Sequence, residues 1–342
     1  MVGTNIGIDF GTANIKVYME GKGIVVTEPS VVAYDQNNKL IAIGQKAYNM
    51  LDKTPDNVRV VQPVVNGVIS DFVAARQIIE YYISRVCKNM VFRPNVVVNV
   101  HSSVTGLQKK TIIDTVTAAG AAKACLIEEP LAAAIGMGLD ISKPRGVMIV
   151  DIGAGTTDIA VITMGSIAVS KSITDAGNAL NDGIIRQLRR ERDLIIGEKT
   201  AERIKLEIGA ATLRDVELGL AVNGKNYITN MPVNFEVSST EIFLAMRSTL
   251  EGILEGIRSV LEQISPEFSA DILDNGIILT GGGAKLRYID KMIKRKLGLK
   301  VKVASSPEFS VAEGTGRALE HLDILYSDGN MFNVGTIGKE KD

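Results

Sequence analysis

Apolar positions along the 342-residue chain fall into short β-branched runs, helical stripes and polar breaks. Near the N-terminus, Ile6-Gly7-Ile8-Asp9-Phe10 runs into Gly11-Thr12-Ala13-Asn14, and apolar alternation resumes at Ile15. That pattern predicts strand, tight turn, strand. Mid-chain, Val147 to Val150 leads into Asp151-Ile152-Gly153-Ala154-Gly155-Thr156-Thr157-Asp158, followed by the apolar run Ile159 to Ile162. The run is short and β-branched, so a second strand is expected there, not a helix.

The remaining pattern alternates in the same way. Phe72, Ala75, Ile79, Tyr82 and Val86 recur at helical spacing and predict a helix to about Lys88. Val96 to Val100 reads as a buried strand, Leu107 to Thr117 as a helix, and Ala124 to Ile127 as a strand entering Glu128-Glu129-Pro130. Leu131 to Ile135 then starts a helix of small residues, suited to close approach either at a hinge between lobes or in a tight core. Ala179 to Arg192 predicts a helix whose arginines, Arg186, Arg189, Arg190 and Arg192, read as a solvated face. Ala201 to Ile208 is a helix ended by Gly209, and Arg214 to Val237 alternates like strands. Ser238 and Glu241 have capping-box spacing and open a long helix whose apolar face runs from Ile242 to Ile264, stopping at Pro266. Ile277 to Leu279 is a strand, Gly281-Gly282-Gly283 a turn, and Lys285 to Leu297 a helix.

Composition narrows the class. With 46% hydrophobic and 23% charged residues, the chain is globular and large enough for two lobes with sizeable cores. A mean hydropathy above zero fits large cores or surfaces covered in an assembly. A formal charge of −1 gives no pull toward nucleic acid. Cys87, Cys125, His101 and His321 form neither a disulfide framework nor a zinc spacing. The chain enters a strand almost at once and has no apolar run of about 18 residues, so neither a signal peptide nor a membrane span is expected, and the cytoplasm is the default.

The two glycine turns carry the chemistry. Small residues let backbone N–H groups approach an anion, so each turn is a phosphate cradle. Each is preceded by an Asp-x-Gly step, which suggests two related lobes closing on one polyphosphate. Metal-assisted phosphoryl transfer needs carboxylates near the metal, donors around the phosphates and a group that orients the nucleophile. Asp9 and Asp151 are the carboxylates, expected to hold Mg²⁺ through water. Gly11, Thr12, Ala13 and Asn14, with Gly153, Ala154, Gly155 and Thr156, line the phosphates. Glu129, fixed by the Glu-Pro step at the end of a strand, is the candidate for positioning water, and alternation turns Glu128 to the other side. Gly281, Gly282 and Gly283 leave room for a base, while Glu202 and Lys205 share a helical face and make either ribose contacts or an ordinary ion pair. Lys199-Thr200 is not a Walker ending, because Asp193 and Glu198 stand where that motif has glycines.

Together, Ile6 to Asn14, Gly21 to Val32, Ile127 to Gly136, Thr200 to Lys205 and Leu279 to Gly283 resemble the actin, sugar-kinase and heat-shock chaperone ATPase superfamily, and within it the MreB bacterial actins. The resemblance implies an α/β actin-like ATPase fold: two related lobes, each with an inserted subdomain, and a nucleotide in the cleft between them. The expected divisions are residues 1–143 with an insertion at 33–63, 144–308 with one at 179–237, a return to the first lobe over 309–328, and a mobile tail at 329–342. It further implies ATP and Mg²⁺ as ligands, Glu129 as the catalytic glutamate assisted by Thr156, and nucleotide contacts from Glu202 and Lys205. Head-to-tail filaments, paired antiparallel and governing cell shape, are implied too. So is contact with the inner face of the cell membrane through Met90-Val91-Phe92, an apolar connection flanked by Lys88 and Arg93. Two departures are Ala154, where these actins commonly carry a third glycine, and His101-Ser102, near a usual proline. A small-molecule kinase of this fold would need a longer pocket-forming insertion, and a chaperone ATPase a substrate-binding domain.

Overall fold

The computed structural model describes residues 5–51, 53–55, 57–88 and 93–319. Met90, Val91 and Phe92, and the expected tail, lie outside the described residues. The first alternation forms an antiparallel meander, β1 (Asn5–Phe10), β2 (Asn14–Met19) and β3 (Gly23–Pro29). A small sheet follows, with β4 (Val32–Tyr34) between β5 (Leu40–Ile43) and β6 (Arg59–Val61). With α1 (Gln45–Met50) it closes its own core of Val31, Ala33, Ala42 and Ala47. A two-stranded ribbon, β7 (Val64–Val65) and β8 (Val68–Ile69), leads to α2 (Phe72–Val86), whose first turn is capped by the Asp71 carboxylate. Then come β9 (Asn95–Val100), α3 (Gly106–Ala118) with a Thr105/Gln108 capping box, β10 (Lys123–Glu128) and α4 (Glu129–Gly136). Strands β9 and β10 join parallel to β1, so the sheet runs β3-β2-β1-β9-β10. The apolar face of α2, with Ile78, Ile79 and Tyr82, packs with Ile6, Ile8 and Val98 of the sheet.

The second half repeats this order. β11 (Val147–Ile152), β12 (Thr157–Thr163) and β13 (Ser166–Ile173) precede α5 (Gly177–Arg192), β14 (Leu194–Ile195) and α6 (Glu198–Ile208). β15 (Gly219–Asn226) and β16 (Pro232–Ser238) pair with β14 in a small sheet. After α7 (Ser239–Leu261) and α8 (Pro266–Asn275), β17 (Ile277–Thr280), α9 (Ile289–Leu297) and β18 (Val301–Val303) complete a sheet ordered β13-β12-β11-β17-β18, with β17 and β18 parallel to β11. Three consecutive strands followed by two parallel ones occur in both sheets, so the duplicated turn belongs to a duplicated architecture.

By its contacts the chain divides into two units. One holds the described residues within Met1–Arg145, Ala160–Ser170 and Glu308–Asp342; the other holds Gly146–Ile159 and Lys171–Pro307. The last helix, α10 (Ser310–Ala318), belongs to the first unit and lies against α4, β1 and β2. That crossing accounts for the small residues of α4: a Cβ on Gly136 would meet the Ser310 carbonyl at 1.9 Å, and one on Gly314 the Ala132 carbonyl at 1.8 Å. Of the two uses open to a small-residue helix, α4 makes the tight core crossing. Among the described residues no helix is long and apolar enough to cross a membrane.

Three expectations are corrected. The long helix ends at Leu261, not at Pro266, and Ser265-Pro266 instead opens α8, with Ser265 capping Phe268 N. A serine followed by proline is a helix start, because proline suits the first turn, where its missing N–H has no partner to lose. The helix after the glycine turn begins at Ile289, because Tyr288 is left-handed at φ 65° and Gly282–Lys285 forms a separate 3₁₀ turn. Glu129 opens α4 instead of ending β10. The arginine face of α5 is exposed as expected, and on it Arg192 also meets both carboxylate oxygens of Glu241 of α7, at 3.1 and 3.0 Å, while Arg189 lies over the Tyr227 ring.

Candidate functional site

The first clasp follows from hairpin register. Asp9 faces Lys16 and Phe10 faces Ile15, which leaves Gly11 to Asn14 as the turn, closed by Gly11 N donating to Asn14 O at 3.0 Å. A Cβ on Gly11 would sit 3.1 Å from that carbonyl, so the glycine serves tightness. Ser30 fastens the turn, its Oγ donating to Gly11 O at 2.8 Å and its N to Ala13 O at 2.9 Å. Gly67 N donates to Thr12 Oγ1 at 3.2 Å. These bonds occupy the carbonyls of Gly11, Ala13 and Asn14, and the amides of Thr12 and Ala13 are the donor type that suits an anion. Lys16 Nζ lies 2.7 Å from Asp9 Oδ2, both side chains largely buried.

The second clasp has the same turn: Gly153 N donates to Thr156 O at 2.8 Å. It is fastened by the start of α5, where Gly177 N donates to Gly153 O at 3.1 Å and Asn178 N to Ala154 O at 2.7 Å. Thr157 Oγ1 adds a bond to Asp175 O at 2.6 Å. Ala154 is not among the residues of positive φ, so its methyl meets no backbone strain there. Gly281, at φ +81°, comes so close to the end of β11 that a Cβ would lie 2.3 Å from both Asp151 Oδ1 and Ile152 O. A Cβ on Gly283 would strike the Ile152 side chain at 2.4 Å, whereas Gly282 faces open space.

Glu202 and Lys205 form the intrahelical ion pair, at 2.8 Å. The pair is also tied to the clasp: Lys205 Nζ donates to Gly177 O at 3.0 Å, and Asn181 Nδ2 to Glu202 Oε2 at 2.7 Å. In the first unit, Glu129 Oε1 accepts from Asn99 Nδ2 at 2.8 Å, while Glu128 turns to Lys109 at 3.9 Å. Burial raises the Glu128 carboxyl, against the pull of Lys109 and a Ser102 hydrogen bond. The sequence reading missed Lys16, Asn99 and Asn181. Lys16 was recoverable from register, since a four-residue turn after Phe10 sets it opposite Asp9. Asn99 was visible as one polar residue inside an apolar strand, which must find partners when buried.

His101, in the first unit, is 7% exposed, and neither ring nitrogen has a hydrogen-bond partner among the described residues. Desolvation lowers its pKa from 6.5, so the unfolded chain binds a proton that the folded one refuses. Stability is therefore expected to fall as pH drops below about 6.5 toward 5. Glu128 acts with the opposite sign, its burial costing stability as pH rises. His101→Leu should flatten the acid decline in melting temperature; an unchanged slope would remove His101 as its source.

The profile of the MreB/Mbl protein family matches residues 3–327. The chain belongs to that family. It is 40% identical over 340 residues to the cell shape-determining protein MreB of Escherichia coli K12, covering 97% of each chain. To the cell shape-determining protein Mbl of Bacillus subtilis 168 it is 39% identical over 327 residues, covering 95% of this chain and 98% of that one. A crystal structure of Spiroplasma citri MreB5 bound to AMPPNP superposes with a TM-score of 0.90 at 36% identity, covering 96% of this chain and 99% of that one. The same protein bound to ADP matches equally well. The fold of this MreB/Mbl chain is thus actin-like, and its place is among actin-like cell-shape proteins.

Proposed function

We propose that this MreB/Mbl chain binds ATP with Mg²⁺, hydrolyses it, and assembles head to tail into filaments that associate with the cytoplasmic face of the membrane. One observation carries the nucleotide part: two clasps with the same closed turn, each two residues beyond an aspartate. The amides of Gly11 to Asn14 and Gly153 to Thr156 take the β- and γ-phosphates, Gly281 to Gly283 flank the base, and Glu202 with Lys205 meets the ribose. Glu129, assisted by Thr156, orients the attacking water.

The donor set fits hydrated Mg²⁺. No group of three or more acid, histidine or cysteine side chains suited to a metal occurs among the described residues, and Lys16 occupies Asp9 Oδ2. Asp9 and Asp151 then act through water, as suits an ion that keeps its hydration and travels with phosphates. The ion would neutralise charge developing on the phosphates.

Sedimentation separates this reading from a kinase or chaperone of the same fold, because polymer pellets and those proteins stay in solution. ATP should drive the protein into the pellet, as expected for a heterologous contact that does not close. Electron microscopy showing only closed rings or discrete dimers would count against it. Membrane contact is assigned to Met90-Val91-Phe92, three consecutive apolar residues between Lys88 and Arg93 in the sequence. One such loop binds weakly, but many along a filament bind by avidity. Polymer should co-float with anionic liposomes far better than monomer, and Val91→Ser with Phe92→Ser should abolish flotation while sparing polymerisation. Wild-type flotation of the double variant would move the anchor to the tail with Lys339 and Lys341.

A further inference from the structure

Strand β9 sets Asn99 between two valines near its end, and its amide is engaged in both directions. Oδ1 accepts from Phe10 N and Nδ2 donates to Glu129 Oε1, each at 2.8 Å, with Asn99 only 5% exposed. The backbone pairing of β1 with β9 runs from Asn5–Asn95 to Ile8–Val98 and stops there. Where the ladder ends, the side chain takes over. The two partners also fix which end of the amide is which, since an N–H demands the oxygen and a carboxylate demands the NH₂.

We propose that Asn99 is the positioning residue for Glu129, locking its carboxylate to the strand that carries Asp9. The proposal rests on the reading of Glu129 as the group that orients water. Phe10 follows Asp9 directly, so a single buried amide references the water-orienting carboxylate to the first clasp. A carboxylate tethered through Oε1 surrenders its rotamer freedom before the nucleotide arrives, which is how preorganisation lowers a barrier. A donated N–H also favours the ionised, proton-accepting form. Glu128, one residue earlier, has Lys109 as its partner instead. Of two adjacent glutamates, the Asn99 amide holds one, and Lys109 with Ser102 holds the other.

Asn99→Asp tests this with little change of shape. It keeps an acceptor for Phe10 N but replaces the donor to Glu129 with a second carboxylate. Single-turnover hydrolysis at pH 7 should fall about tenfold, while ATP affinity changes less than about threefold. The acid limb of the pH–rate profile should move up by about one unit, because a neighbouring like charge disfavours the ionised glutamate. Asn99→Leu, uncharged and of similar size, should lose a comparable rate with a smaller movement of the limb; it decides the matter if Asn99→Asp does not fold. In protein without nucleotide, the carbon-13 carboxyl resonance of Glu129 should titrate higher in either variant than in wild type. Wild-type rate, limb and titration in the folded variants would reduce Asn99 to a strand fastener and overturn the proposal. Glu129→Gln, measured in parallel, tells the two failures apart: wild-type turnover there defeats the Glu129 reading and the proposal with it. Slow Glu129→Gln beside normal Asn99 variants defeats the positioning alone.

Discussion

Glu129→Ala is expected to slow phosphate release by about 10²-fold or more while leaving ATP binding nearly intact, the usual scale for losing a group that handles the reacting water. The methyl removes both carboxylate oxygens, including the one bonded to Asn99, and leaves the bonds that close the two clasp turns in place. Binding should survive for that reason, since the closed turns at Gly11–Asn14 and Gly153–Thr156 are fastened by Ser30, Gly67 and the start of α5. Asp151→Ala should do the reverse and weaken Mg²⁺-dependent binding, because its carboxylate ends the strand that enters the second clasp, where the proposed Mg²⁺ would travel with the phosphates. Nucleotide titrations with and without Mg²⁺, paired with single-turnover hydrolysis, separate the two. Unchanged turnover in Glu129→Ala would remove it from the mechanism, and equal affinity with and without Mg²⁺ in wild type would defeat the metal assignment.

Strands and clasps were legible because their signals are local. Ile6 to Asn14 and Val147 to Asp158 each carry strand, turn and strand in one short stretch, and the turn residues declare themselves by size. The ends of helices were less legible, since one residue can be a stop or a start. Pro266 was read as the end of α7 because an apolar stripe preceded it, yet Ser265 before it makes the pair a start signal. Tyr288 gave no warning, because a left-handed bulky residue is held by its surroundings and not by its own preference.

The residues that support the site were the least visible. Ser30, Asn178 and Asn181 reach the clasps or the helix beside them from positions distant in sequence, and their polar side chains would read equally well as surface. Asn99 differs. A buried amide between valines is costly without partners, and the search for those partners leads to Phe10 and Glu129. Asp9 and Lys16 carry a similar lesson, since chemistry drew attention to Asp9 while only strand register identified its cation.

The largest loss of stability is expected from Gly314→Val. At the crossing of α10 and α4, a Cβ on Gly314 would lie 1.8 Å from the Ala132 carbonyl oxygen, a backbone atom that cannot swing away as a side chain can. Glycines line the rest of the helix's seat as well: a Cβ on Gly7 of β1 would meet Gly316 N at 2.6 Å, and one on Gly316 the Tyr18 ring at 2.1 Å. Room for a side chain at 314 therefore comes only from parting α10 and α4, which gives up burial along the apolar face of α10. Overpacking of an ordinary core costs about 1 to 3 kcal/mol, so about 3 kcal/mol or more is expected where the obstacle is backbone. For a unit of this size that is a fall of about 6 to 12 °C in melting temperature. Gly106→Ala is the control: it opens α3 with nothing near its added methyl, and it should be neutral or slightly stabilising by restricting the unfolded chain. Gly314→Ala is the more informative partner, because a protein that still folds with one methyl there must displace α4, whose first residue is Glu129. Its turnover should fall further than its ATP affinity does. A Gly314→Ala protein that melts and hydrolyses like wild type would show that the two helices do not cross at backbone contact, and the account of why α4 is built from small residues would fail with it.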